Sequence, residues 1–367
     1  MSLPPPGYPL YPLANPKGVD LLCELCQRPA FLQCTLCKVT YYCSVEHQRA
    51  DWISIHDKIC SSVEALKRNI PFIKTEEERR NRKDEVHKKL GKMIEITRTI
   101  GKKLLFQGKH EQAVPTALQC LKFSIEVYGL ASVELVPAYL ILSEASIGLN
   151  RLPQAEEYLA QAQWTVLKSP DCPKSIRSQL HRKLGLLYSA KGDANAALEN
   201  LAHDIFYSST EYGTDNVLTS GGYYLMAEVF MKQNRMDIAD DLLTRVCTIW
   251  MEFLKDIVSS LTFKPEIPEG IGEVVAEITQ VEKQTLDEAQ EAEAIKVLNS
   301  IYSIRRTQLN CKPFAKAISA LVLSMLYFIL NDKSRAEDFL AESDAAACGI
   351  ELNSLLHVVD QMKSVLS

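Results

Sequence analysis

Polar and apolar positions repeat along most of the chain with a period of 42 residues. Short turns fall at Gly108-Lys109, Asn150-Arg151, Gly192-Asp193 and Asn234-Arg235, each 42 residues after the last. Glycine and asparagine tolerate the left-handed conformation that ends a helix, so each anchor predicts a turn between two helices. Five residues after the anchors stand Ala113, Ala155, Ala197 and Ala239, and seven before them Gly101, Ser143, Gly185 and Ala227. Ile100, Leu142, Leu184 and Met226 come eight before, and Leu104, Ser146, Tyr188 and Phe230 four before. Small residues at fixed points let two helix axes approach, and large ones fill the space between neighbouring units.

A further copy surrounds Asn331-Asp332, with Ala336 after it and Ser324, Leu323 and Tyr327 before it. It lies 97 residues beyond Asn234, two periods plus 13. The surplus is expected in residues 261–273, where Pro and Gly crowd together, and one intervening repeat is expected to be degenerate. The pattern resembles tetratricopeptide repeats: large–small pairs on the first helix, then an alanine early in the second. Their usual period is 34 residues; a period of 42 resembles the longer repeats of the kinesin light chain type, as does the recurrence of Tyr128-Gly129 at Tyr212-Gly213, 84 residues on. The resemblance covers about residues 90–350. It implies stacked helix pairs whose concave face takes an extended peptide or a partner helix.

Upstream the pattern changes. Thr75 followed by Glu78 reads as a capping box opening a helix, and residues 76–89, EEERRNRKDEVHKK, read as its solvated charged face. Residues 1–16 hold six prolines, favour polyproline II and are expected to form neither helix nor sheet. They form a flexible leader in this reading.

The cysteines are uneven. Cys120, Cys172, Cys247, Cys311 and Cys348 are scattered and read as small buried side chains, but six of the eleven fall between Cys23 and Cys60. With two histidines they make four pairs: Cys23-x2-Cys26, Cys34-x2-Cys37, Cys43-x3-His47 and His56-x3-Cys60. A C-x2-C turn sets two thiolates on one side of a knuckle, and an i, i+4 pair on a helix projects from one face. Each pair can span one edge of a tetrahedron, so eight ligands suffice for two zinc ions. Spacing alone leaves sequential and interleaved pairing open.

The two knuckles, Tyr42-Cys43, Gln48, Asp51-Trp52 and His56-x3-Cys60 resemble a MYND-type zinc finger. The resemblance implies interleaving: Cys23, Cys26, Cys43 and His47 on one zinc, and Cys34, Cys37, His56 and Cys60 on the other. The family usually has cysteine where this chain has His47, and histidine is a competent ligand. Four protein ligands close each site, whereas a catalytic zinc keeps a position for water. The metal is then expected to fold the segment, with chelation unfolding residues 21–62 and sparing most of the helical signal.

The finger carries four basic residues (Arg28, Lys38, Arg49, Lys58) and four acidic ones (Glu24, Glu46, Asp51, Asp57), so six thiolates with two Zn²⁺ leave it at −2. Such a module repels a phosphate backbone, and with a whole-chain charge of −5 no nucleic acid is expected as a partner. In the resembled family the finger binds short proline-containing peptides in a shallow groove involving the positions of Gln48 and Trp52; plain packing of Trp52 fits the sequence equally. Those ligands commonly read Pro-x-Leu-x-Pro. Neither Leu10 nor Leu13 has proline on both sides at that spacing, so self-recognition is not expected.

MYND fingers also occur in SET-domain lysine methyltransferases, but no Asn-His-Ser-Cys methyl-donor segment occurs here. There is no Gly-rich phosphate loop, Gly-x-Ser-x-Gly or His-Glu-x-x-His, and His181 and His203 stand alone, so no enzyme is expected. No secretory signal is apparent, and the apolar run from Ile318 to Leu330 is too short for a bilayer, so an intracellular protein without membrane attachment is expected.

The expected architecture is mostly α: a small two-zinc finger followed by a tetratricopeptide-like superhelix with a period near 42. It divides into a proline-rich tail (1–20), the finger (21–62), a charged linker helix (63–89) and helical repeats (90–367) interrupted around 259–290. A finger of this type with long repeats and no SET domain resembles MYND-domain proteins of cilia and sperm flagella. That implies a cytoplasmic scaffold of the axoneme, alongside other repeat proteins and dynein-associated assemblies. A nuclear corepressor-type adaptor is the alternative, and a degenerate SET–MYND relative a more distant one.

Overall fold

The structure, a computed structural model, describes residues 7–11, 20–67, 75–262, 286–308, 312–347 and 353–366. The chain divides into two compact units, Met1–Lys191 and Gly192–Ser367, and the boundary falls on the third sequence anchor.

The first unit begins with the finger. Three short antiparallel strands, β1 (Tyr8–Pro9), β2 (Leu32–Gln33) and β3 (Tyr41–Tyr42), lie in the order β1-β2-β3. Helix α1 (Val45–Asp51) starts at Ser44, whose side chain accepts from the His47 amide at 3.3 Å, and runs through a π-helical turn (Trp52–His56) into α2 (Asp57–Lys67). β1 corrects the expectation that the proline-rich segment forms no sheet. Tyr8 pairs with Gln33, Pro9 with Leu32, and the Leu10 amide donates to the Phe31 carbonyl at 2.8 Å.

Helices α3 (Glu76–Phe106), α4 (His110–Tyr128), α5 (Val136–Gly148), α6 (Leu152–Lys168) and α7 (Lys174–Lys191) complete this unit. Thr75 caps α3 as its spacing predicts, accepting from the Glu78 amide at 3.2 Å. The second unit contains α8 (Ala194–Tyr212), α9 (Val217–Lys232), α10 (Met236–Thr262), α11 (Glu288–Thr307), α12 (Pro313–Ile329), α13 (Lys333–Ala347) and α14 (Asn353–Leu366). The Pro/Gly-rich insertion at 261–273 lies almost wholly outside the described residues, as do Cys311 and Cys348. No helix among the described residues is long and apolar enough to cross a membrane.

Every sequence anchor adopts a left-handed backbone: φ is 71° at Gly108, 58° at Asn150, 84° at Gly192, 59° at Asn234 and 63° at Asn331. Four of these turns close identically. The next amide bonds back to the carbonyl five residues earlier: Lys109 to Leu104 (2.9 Å), Arg151 to Ser146 (2.8 Å), Arg235 to Phe230 (3.0 Å) and Asp332 to Tyr327 (2.9 Å). These are Schellman closures, which satisfy carbonyls that a helix end leaves orphaned.

The small positions do what their size predicts. Ala113, Ala155, Ala197, Ala239 and Ala336 are all fully buried. A Cβ on Gly101 would sit 3.3 Å from Ile141, so glycine there sets how closely α3 approaches α5. In the last hairpin the Ser324 hydroxyl donates to the Ala336 carbonyl at 2.7 Å, joining two recurring small positions directly.

The finger is not a separate bead within its unit. Ile55, Ile59 and Val63 share one core with Leu90, Met93 and Ile94 of α3 and Ala117 and Cys120 of α4. In the second unit, Trp250, Leu254 and Ile257 of α10 pack with Leu298 and Ile301 of α11 and Leu321, Val322 and Leu326 of α12.

Candidate metal centre

Two sets of four side chains converge in the finger. Cys23, Cys26, Cys43 and His47 form one, and Cys34, Cys37, His56 and Cys60 the other, with the donor atoms of each set within 4.8 Å of one another. The grouping is interleaved along the chain, which spacing alone left open.

Both knuckles use the same backbone device. The residue after each second cysteine is left-handed, Gln27 at φ 57° and Lys38 at φ 58°. Its amide bonds back to the carbonyl of the first cysteine, Gln27 to Cys23 and Lys38 to Cys34, both at 3.0 Å. This folds two thiols onto one side of each turn.

The other two pairs arise differently from the expected helical i, i+4 spacing. Cys43 precedes the helix cap Ser44, so only His47 rides on α1. His56 ends the π turn and Cys60 lies on α2. The π turn widens the helix by one residue per turn where the second histidine must enter the site, and such bulges recur at functional positions.

The donor separations fit tetrahedral zinc. With Zn–S near 2.3 Å and Zn–N near 2.0 Å, tetrahedral edges are about 3.8 Å between sulfurs and about 3.5 Å between sulfur and nitrogen. Cys26 Sγ lies 3.5 Å from Cys43 Sγ, and His47 Nδ1 lies 3.4 Å from Cys23 Sγ and 3.2 Å from Cys43 Sγ. In the second set His56 Nε2 lies 3.6 Å from Cys37 Sγ. The histidines therefore present different nitrogens, Nδ1 from His47 and Nε2 from His56. Each set carries three thiols and one imidazole and is filled by protein donors alone.

The electrostatics of the bare donor set call for a cation. A hydrogen bond from Cys34 holds the Cys37 thiol down, at about 3, with His56 and Thr40 assisting against burial. Burial pushes Cys43 and Cys60 up to about 11. Deprotonating three crowded thiols together needs a positive centre among them, which zinc supplies.

Behind the second set is a support that sequence reasoning left without a role. Tyr42 donates its hydroxyl to Asp51 Oδ2 at 2.7 Å, and the same carboxylate lies 3.9 Å from His56 Nδ1. Asp51 is fully buried, and burial raises its pKa to about 6 against the opposing pull of His56 and the Tyr42 hydrogen bond. A carboxylate facing the distal nitrogen fixes the imidazole's orientation and basicity. The Tyr42 and Asp51 spacing was visible in the sequence; their meeting needed β3 to lie beside α1.

Glu24, inside the first knuckle, was missed as well. Only 8% of it is exposed, Lys67 reaches it at 3.1 Å, and Lys122 of α4 pairs with its other oxygen. Burial works to raise its pKa, but the two lysines outweigh it and leave the carboxyl below its usual value. The pair ties the first knuckle to α4. Gln48 and Trp52 are 2% and 5% exposed. Gln48 lies directly under the tail: a Cβ added to Gly7 would fall 2.6 Å from its Oε1.

The solved structure of BtubC (BKLC) from P. vanneervenii is similar over 71% of this chain and 92% of its own, at 11% identity and a TM-score of 0.30. Residues 23–60, the first metal ligand to the last, match the MYND finger family.

Proposed function

We propose that the protein is a non-enzymatic interaction scaffold, a structural or assembly component of the ciliary or sperm-flagellar axoneme in the cytoplasm. The finger takes proline-containing extended peptides, and the helical repeats take peptides or helices of other proteins, including repeat and dynein-associated proteins. The observation that carries the non-enzymatic part is closure: each donor set is complete in protein ligands and offers no position for a reacting water. The axonemal part rests on the combination of this finger with long repeats.

Affinity purification from ciliated tissue tests the reading, using the wild-type chain and a Cys37→Ser variant that loses the second metal set. Axonemal proteins are expected with both, and the subset lost with Cys37→Ser uses the finger. Recovery of nuclear repressor complexes, together with nuclear immunostaining, would overturn it in favour of a corepressor adaptor. Calorimetry with S-adenosylmethionine is expected to show no binding heat; a saturable heat would overturn the non-enzymatic part.

A further inference from the structure

We infer that residues 7–11 are a built-in occupant of the finger's peptide-binding edge, which a partner's proline-containing segment must displace. This rests on the reading of the finger as a peptide binder and adds a regulatory step to it.

The seating is a strand addition. Gly7 to Tyr11 run antiparallel to β2, with Tyr8 opposite Gln33 and Pro9 opposite Leu32. The Leu10 amide donates to Phe31 at 2.8 Å. Hydrogen-bonded and non-bonded pairs alternate in an antiparallel ladder, so Pro9 occupies the position whose amide would point outward. Its missing N–H costs nothing on the β2 side and removes the central donor of the new outer edge, which disfavours a further strand. Gly7 lies against the Gln48 carboxamide, where a Cβ would come within 2.6 Å of Oε1 and 3.5 Å of Leu32 Cβ. The edge thus accepts a segment with a minimal side chain over Gln48 and, two residues later, a proline opposite Leu32.

The occupant is held lightly. Tyr8 is 56% exposed and Tyr11 61%, so the contact consists mainly of backbone bonds with little buried apolar area. Phe31, beside it, is also exposed at 64%, leaving an aromatic surface that an incoming segment could cover more fully than the tail does. A cis segment gains from its tether, at an effective concentration in the millimolar range, and a trans segment with better side-chain burial can still exchange with it.

The test uses a fluorescent peptide of residues 4–13, PPPGYPLYPL, added to three proteins: the full-length chain, the chain lacking residues 1–11, and full-length Leu10→Pro. Each is first checked for two bound zinc ions, which controls for a collapsed finger. Anisotropy should show the shortened chain binding at least about tenfold more tightly than the full-length chain, since the competitor is gone. Leu10→Pro removes one tail hydrogen bond and should fall between them. Equal, measurable affinity in all three proteins overturns cis occupancy and leaves the peptide-binding reading standing. No binding to the shortened, zinc-loaded chain overturns both.

Discussion

The finger and the helical repeats solve opposite problems. A segment as small as residues 20–67 builds little core of its own, and it concentrates its cohesion in eight ligand atoms placed by two identical knuckles and one distorted helix. The repeats spread theirs over recurring contacts: five fully buried alanines and four identical Schellman closures. The lesson is one of error tolerance. A metal site fails when any one ligand is lost, whereas a repeat array loses a small increment per contact. The two solutions meet where Ile55, Ile59 and Val63 enter the core of α3 and α4, so failure of the finger should propagate one hairpin into the helices.

Zinc removal breaks the comparison most severely. Metal analysis is expected to find two zinc per chain, and chelation to remove a folding contribution on the order of 10 kcal/mol per site. Hydrogen exchange should then show lost protection throughout the finger and along the stretch of α3 around Leu90–Ile94, with α9 to α13 unchanged. This differs from a finger that unfolds alone, because Glu24 and the shared core bind it to α4. A single zinc per chain, or a finger still protected after chelation, would sink the paired-site assignment.

The second unit also concentrates cohesion at a single side chain, Arg305. Arg305 on α11 is 1% exposed. It donates to the Ala315 carbonyl at 2.8 Å and to Thr244 Oγ1 at 2.6 Å, and stands 3.4 Å from Asp240 Oδ1. Asp240→Ala leaves the guanidinium buried without its counter-charge and should cost about 3 kcal/mol in urea unfolding. Arg305→Met removes the charge with its need for a partner and should cost clearly less. If Arg305→Met proves the worse of the two, the ion pair itself is stabilising and this account is wrong.

What the sequence disclosed follows the same division. The ligands and the 42-residue anchors were legible because each is a local chemical requirement: a thiol pair needs its spacing, and a left-handed turn needs glycine or asparagine. The strand at Tyr8–Pro9 was not, because its partner lies more than twenty residues away and proline composition argued against it. Glu24 looked like one solvated charge among several until α4 brought Lys122 to it across 98 residues. Arg305 was hidden in the same way, since nothing near it in sequence marks it as buried. The π turn escaped because a one-residue widening leaves no signature in side-chain periodicity.

A smaller effect sharpens the claim that close approach sets the repeats. Ala155→Leu adds bulk where no surface is free and should cost about 1–3 kcal/mol through overpacking. Gln161→Leu, exposed on the same helix, should stay within about 0.5 kcal/mol. Equal thermal stability of the two variants would mean that the alanine period reflects composition and not packing.

The finest comparison uses a conformation the two regions share. Asn150 in the repeats and Gln27 in the finger both sit near φ 58°, at 58° and 57°. Asparagine adopts this region with little penalty, whereas a long side chain such as glutamine pays steric strain. Glycine removes that strain but adds unfolded-state entropy, so the gain is partial. Asn150→Gly should therefore leave stability almost unchanged. Gln27→Gly should recover about 0.5–1 kcal/mol. Metal binding is coupled to folding of the knuckle, so that gain should appear as zinc affinity raised about threefold in a competitive chelator titration. Lower zinc affinity for Gln27→Gly would mean that the side chain, and not the backbone turn, holds the first knuckle together.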